Sequence, residues 1–243
     1  MSLISFNTFG ASSSASSALE NTGQTIRNAF AQLSSGSRFS SASVDSAGLA
    51  IAAELASNLA SISQGSRNAS DAASALSTAD GALEQVSNIT LRLQEIAVTS
   101  ANGVYSDQQR SALQNEYTAL TAEIQRIGET TSYNGQKLLD GSAISAELGG
   151  NSIDVGGINL SELAQSVASQ DVSTAAGAQD AVAALQSFSD NLASQRGASV
   201  DAGLARLGSV QDTLSSAKAV TAEALSQASD TDFASAISDL SRA

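Results

Sequence analysis

A nucleophilic serine needs a base, and this chain offers almost none. It contains no histidine and no cysteine, so a hydrolytic serine would depend on Lys137 or Lys218. The first falls in a turn region and the second on a helix face, an arrangement that points away from catalysis. Disulfides and Cys/His metal sites are excluded by the same composition. Asp71, Asp80, Glu84 and Glu95 are strung along one long stretch and read as a solvated helix face. Asp230 and Asp232 in "SDTDF" have the spacing of a metal half-site, but they fit better as caps ahead of a final helix. The glycines of "LGGNSIDVGG" do not lead from a strand into a helix, so they read as turns and not as a phosphate loop. Asn68, Asn88 and Asn159 stand in N-x-S/T sequons, the first two inside a predicted helix where modification is not expected. The chemistry-bearing residues thus predict no enzyme, no cofactor and no metal.

The elements that carry these residues are helices. Apolar residues make up 42% of the chain but aromatics only 4%, which suits long helices packed closely through Ala, Leu, Ile and Val. Proline is absent from all 243 residues, so nothing forces a helix to stop. Leu19, Ile26, Phe30 and Leu33 form a heptad-like seam in a first helix of about 3–34, closed at Gly36 and followed by a polar loop. From about 49 to 101, Leu55, Ile62, Ala69, Leu76 and Leu83 recur every seven residues. Ile51, Ala72, Ala79, Val86 and Leu93 supply the companion line, interrupted at Asn58 and Gly65. Small residues between the leucines let neighbouring helices approach, and Asn102-Gly103 ends the run.

A third helix starts at "SDQQ", where Ser106 and Gln109 have capping-box spacing. Its apolar positions are Leu113, Tyr117, Leu120, Ile124 and Ile127, with Leu113, Leu120 and Ile127 expected to be buried against the long helix. Residues 131–160 change character, with an Asn-Gly turn and short strands around glycines, and predict a small β-hairpin insert. Helical periodicity resumes at about 175. The expected fold is mainly α, a long antiparallel coiled-coil-like rod made by the N- and C-terminal halves. The expected division is 1–45, an N-terminal axial helix and linker, and 46–243, a rod comprising 46–130, the insert 131–160, and 161–243.

The net charge of −13, from 24 acidic against 11 basic residues, argues against a nucleic-acid partner, which would need clustered Lys and Arg. No 18-residue apolar run suggests membrane insertion, and the N-terminus lacks the basic and apolar regions of a cleavable secretory signal.

The stretches "AQLSSGSRFSSASVDSAGLAIA" (31–52), "SRNASDAASALSTADGALEQV" (66–86), "RLQEIAVTSANG" (92–103) and "SYNGQKLLDG" (132–141) resemble the N-terminal conserved region of bacterial flagellin. "STAAGAQDAVAAL" (173–185), "ASQRGASVDAGLARL" (193–207) and "SDTDFASAISDLSRA" (229–243) resemble its C-terminal region. The resemblance implies a structural subunit, exported by the flagellar apparatus and polymerising with identical subunits into an extracellular helical tube for motility. The alternative is a flagellin-like surface adhesin that forms no filament. Partners implied are other flagellin subunits, the export apparatus, an export chaperone and host flagellin receptors.

The short insert implies that the outer variable domains are missing. Flagellins continue past the position of residues 240–243 with a helix that pairs with the N-terminal one. Residues 1–35, with no evident partner in this chain, are therefore expected to be mostly disordered in the free monomer. By motif, Arg92, Ile96 and Glu116 match residues contacted by vertebrate Toll-like receptors, with Leu91 where a polar residue is usual. Asp45 and Gly48 lie in the segment read by plant receptor kinases. There Ser43 and Val44 replace charged residues, so weak plant recognition is expected.

Overall fold

The computed structural model describes residues 3–39 and 45–242, with side chains from residue 12 onward. In a chain without proline, helix α1 runs over Leu3–Ser35 and α2 over Ser46–Ala101, 56 residues without a break. Helix α3 (Asp107–Thr130) follows, then strands β1 (Ser132–Tyr133), β2 (Gln136–Lys137), β3 (Ala143–Glu147) and β4 (Ser152–Gly156). Next come α4 (Leu160–Ala168), α5 (Ala175–Gln195), a π-turn (Arg196–Asp201), α6 (Ala202–Ser229) and α7 (Phe233–Arg242).

The helix ends are written in short polar side chains. Gly36 takes φ +68° past the end of α1, and its N–H donates to the Gln32 carbonyl at 2.8 Å. Asp45 Oδ1 accepts from the Gly48 N–H at 2.8 Å in the first turn of α2. Ser106 and Gln109 form the reciprocal capping box at the start of α3. Asn159 caps α4, Thr174 caps α5, and Asp232 accepts from the N–H groups of Ala234 and Ser235 ahead of α7. Each satisfies amide donors that a helix start leaves free.

The chain forms two compact units, Met1–Ala60 with Ala217–Ala243, and Ser61–Ser216. These cuts fall elsewhere than the division at residue 45 drawn from the sequence. In the first unit α7 lies against α1, with Ala29 and Ala236 buried. The chain after α1 pairs with the link between α6 and α7. The Arg38 N–H donates to the Ser229 carbonyl at 2.7 Å, and the Thr231 N–H to the Gly36 carbonyl at 3.0 Å. The expectation that the first helix has no partner in this chain is thereby corrected: α7, only ten residues long, covers part of it.

In the second unit both halves of the chain share one core. From α2 it takes Ala69, Ala72, Leu76, Ala79, Leu83, Val86 and Leu93, the two lines of the heptad. From the C-terminal half it takes Ala178, Ala181, Leu185, Phe188, Leu192, Val200 and Leu207. Side chains bridge Asp80 to Arg196 and Ser70 to Gln211, so the later helix descends as α2 climbs. The halves are antiparallel, as expected.

The segment 131–160, expected to carry a small β-hairpin insert, holds two hairpins, and α4 starts at its last residue. Asn134 (φ +49°) and Gly135 (φ +81°) turn β1 into β2, the conformation that a two-residue loop demands. In the β3–β4 hairpin, Ala146, Ile153 and Val155 enter the core. Helix α4 then packs on α3, where Gly128 leaves room for Leu160.

Along α3 the deep line is Arg110, Tyr117, Thr121, Ile124 and Gly128, whereas Leu113, Leu120 and Ile127 are half-buried on its flank. The expected burial of those three is corrected accordingly. Truncating Ile124 to alanine is expected to cost about 2–4 kcal/mol, and Leu120→Ala less than half as much. Equal losses in urea titrations would contradict this order.

Tyr117 ties α3 to α4, its hydroxyl donating to the Val167 carbonyl at 3.0 Å. Burial pushes its pKa up to about 12, so the folded state resists ionisation while an unfolded tyrosine titrates near 10. The resulting stability is fully present below about pH 10 and is lost as pH rises towards 12, by about 3 kcal/mol in all. In Tyr117→Phe this alkaline loss should vanish, at a cost of about 1 kcal/mol at neutral pH from the missing hydrogen bond. Urea midpoints between pH 8 and 11.5 compare the two.

Candidate functional site

Lys137 stands on β2 and Lys218 on α6. Among the described residues no group of three or more carboxylates is arranged to hold a metal ion, and every buried side-chain nitrogen and oxygen has a hydrogen-bond partner. No described helix is long and apolar enough to cross a membrane.

The first surface joins α2 to α3. Arg92 donates through Nε and Nη2 to Glu116 Oε1 at 3.0 and 2.7 Å, and through Nη1 to Glu95 at 2.9 Å. The hydrogen bond that Arg92 donates to Glu116, then the one to Glu95, raises its pKa above the ordinary value. The fork is solvent-facing, with exposed Leu91 and Val98 on the same stretch of α2. Ile96 does not join it. At 2% exposure it belongs to the core, because it falls one turn from Leu93 on the inward face. The surface patch anticipated from Arg92, Ile96 and Glu116 is therefore Arg92 and Glu116 with Glu95 beside them.

The second surface lies at the start of α2. Asp45 caps that helix and pairs with Arg38 at 3.3 Å, while the Arg38 guanidinium sits 5.2 Å from the centre of the Phe39 ring. A methyl group on Gly48 would come within 2.8 Å of that ring. Glycine here is what allows Phe39 to lie against the first turn. Ser43 and Val44 lie outside the described residues.

The third is the outer side of α1. Of the four seam residues, Ile26 and Leu33 are half-buried, whereas Leu19 is 76% and Phe30 59% exposed. In the same unit Phe233 and Ile237 leave a second apolar line open on α7.

The sequence that forms these helices matches a known family model. The bacterial flagellin N-terminal helical region aligns with residues 6–144, more than half of the chain. The chain belongs to the flagellin family. It is 37% identical over 164 residues to a flagellin of Halalkalibacterium halodurans, covering 65% of this chain and 60% of that one. It is 43% identical over 131 residues to the B-type flagellin of Pseudomonas aeruginosa, covering 53% of this chain and 27% of that one. The chain thus spans less than two thirds of the length of these flagellins. Among solved structures, the Bacillus cereus flagellin superposes with a TM-score of 0.55 at 26% identity, over 61% of this chain and 88% of that one. Flagellins are a structural protein family, and the mainly helical fold found here is theirs.

Proposed function

We propose that this chain is a structural subunit of the bacterial flagellar filament, exported from the cell and packed laterally against identical copies into a hollow tube. Family membership supports the reading, and one observation carries it: the apolar residues Leu19 and Phe30 on α1, with Phe233 and Ile237 on α7, remain exposed in the monomer. Apolar helix faces of this kind are stabilised when a second surface covers them. In this reading the work of the protein is assembly. The comparisons lend no support to the adhesin alternative.

The gene encoding this sequence is expected to restore filaments, seen by negative stain, to cells that lack their own flagellin. Leu19→Asp with Phe30→Asp should abolish them, because two carboxylates would be desolvated in every subunit contact. Melting of the core around Leu83 should not move in that variant. Export without any fibre from the native sequence would count against the proposal.

The partners follow from the same reading: other subunits, the export apparatus and an export chaperone, with host flagellin receptors as a surface-dependent addition. For the receptors, Arg92 and Glu116 are the accessible pair. An arginine anchor of this kind can dominate an interface, so Arg92→Ala should weaken receptor activation more than tenfold in a cell-based assay while Ile96→Val, confined to the core, leaves it unchanged. The Asp45–Gly48 surface is the corresponding candidate for plant receptor kinases, and Ser43 and Val44 predict a weak response there.

A further inference from the structure

Between α5 and α6 the helix does not stop; it changes pitch. Over Arg196–Asp201 the backbone forms a π-turn, in which the Ala202 N–H bonds to the Gly197 carbonyl five residues back. The reason is arithmetic. The buried positions Ala178, Ala181, Leu185, Phe188 and Leu192 step by three and four, and Val200, Gly203 and Leu207 do so again. From Leu192 to Val200 the step is eight, where an unbroken heptad gives seven. One surplus residue has entered the pattern, and a π-turn is the local form that absorbs it while both flanks keep facing the core.

Two anchors bound the place where the surplus can sit. On the far side Val200 is fully buried and cannot rotate out. On the near side Arg196 Nε and Nη2 hold Asp80 Oδ1 and Oδ2 of α2 at 2.7 and 3.1 Å, in a pair about two-thirds shielded from solvent. Only Gly197, Ala198 and Ser199 lie between them. The next buried side chain upstream is Leu192, so without the pair the turn would have room to retreat through residues 193–196.

We infer that the Arg196–Asp80 pair is a lock that pins a movable one-residue bulge, fixing the rotational phase between α5 and α6 against α2. A bulge displaced by one residue carries that residue's side chain around the helix by about 100°, since each residue of a helix turns by that angle. The pair therefore decides which side chains of residues 193–199 face α2.

Amide hydrogen exchange on the monomeric full chain tests this. Asp80→Asn should speed exchange at residues 193–196 at least tenfold and leave α3 unchanged. Deleting Ala198, an exposed residue inside the turn, should leave a regular helix, slow exchange over residues 197–201 at least tenfold, and make Asp80→Asn silent at residues 193–196. Exchanging the charges, Asp80→Arg with Arg196→Asp, should restore the native pattern. Native exchange rates in Asp80→Asn, or acceleration spread equally over α3, would overturn the lock. A chain without Ala198 that melts earlier or fails to fold would overturn it too, because the surplus residue would then be part of the packing and not a bulge.

Discussion

Replacing Arg110 by methionine should lower the unfolding free energy by about 3–5 kcal/mol, among the largest losses a single side chain can produce. The guanidinium is 7% exposed and has no carboxylate among its hydrogen-bond partners. Instead it donates to three carbonyls. Nη1 reaches the Ser100 oxygen and, at 3.1 Å, that of Asn102, and Nη2 reaches the Tyr105 oxygen at 2.8 Å. These belong to the end of α2 and the turn after it, where a helix has carbonyls without intrahelical partners and where the helix dipole favours a cation.

Methionine fills much of the volume but takes the donor from the buried Ser100 carbonyl, while the part-buried Asn102 carbonyl keeps the Tyr105 N–H at 3.4 Å. The loss should spread, because the same end of α2 holds the loop before α5. Ser100 Oγ donates to the Val172 carbonyl at 2.5 Å, and Gln114 accepts from the Val172 N–H at 2.6 Å. Arg110→Lys keeps the charge, but a single ammonium cannot span three acceptors held by a planar fork, and it should recover less than half of the loss. As a control, Arg92→Met removes a solvent-facing fork and should cost less than about 1 kcal/mol. Guanidinium titrations of the three variants provide the comparison, and an Arg110→Met loss no larger than that of Arg92→Met would show that the carbonyls find water instead.

What could be read in the sequence was whatever depends on a short period or a local cap. The leucine–alanine heptad of α2, the Ser106–Gln109 box, the Gly36 stop and the Asp232 cap are all local signals, and all are found. Arg110 was hidden because a charged residue in a helical pattern reads as solvated; nothing local shows that three carbonyls await it. Helix α4 was hidden behind glycines, although Asn159 and Glu162 carry a recognisable N-cap spacing. Leu120 and Ile127 were ranked above Thr121 and Gly128 by hydrophobicity, whereas close approach of α4 rewards small residues at those positions. Ile96 was placed on the surface by family resemblance, while its spacing from Leu93 and Ala97 sets it inside. The surplus residue before Val200 was legible in the spacing, but it shows only when the heptad is counted across residues 193–199.

The second large effect concerns the junction at which α2, β4 and α6 meet. A methyl group on Gly203 would lie 2.9 Å from Leu76 Cδ1 and 3.2 Å from Val155 Cβ, and one on Gly156 would lie 3.6 Å from Leu76 Cδ2. Leu76 is thus a wedge seated on two glycines from opposite sides, 1% exposed. Leu76→Ala should cost about 3–5 kcal/mol, the lost transfer energy plus a cavity that two glycine backbones cannot collapse to fill. Gly203→Ala alone should cost about 1–3 kcal/mol from overpacking, reduced by the roughly 1 kcal/mol that alanine gains over glycine in a helix. The two changes are complementary in space, so their effects should not add. In the double variant the new methyl group enters the volume that Leu76 leaves. The double loss should fall at least 1 kcal/mol below the sum of the single ones, a coupling within the range for contacting residues. Strict additivity in the thermodynamic cycle would mean that Leu76 does not rest on Gly203.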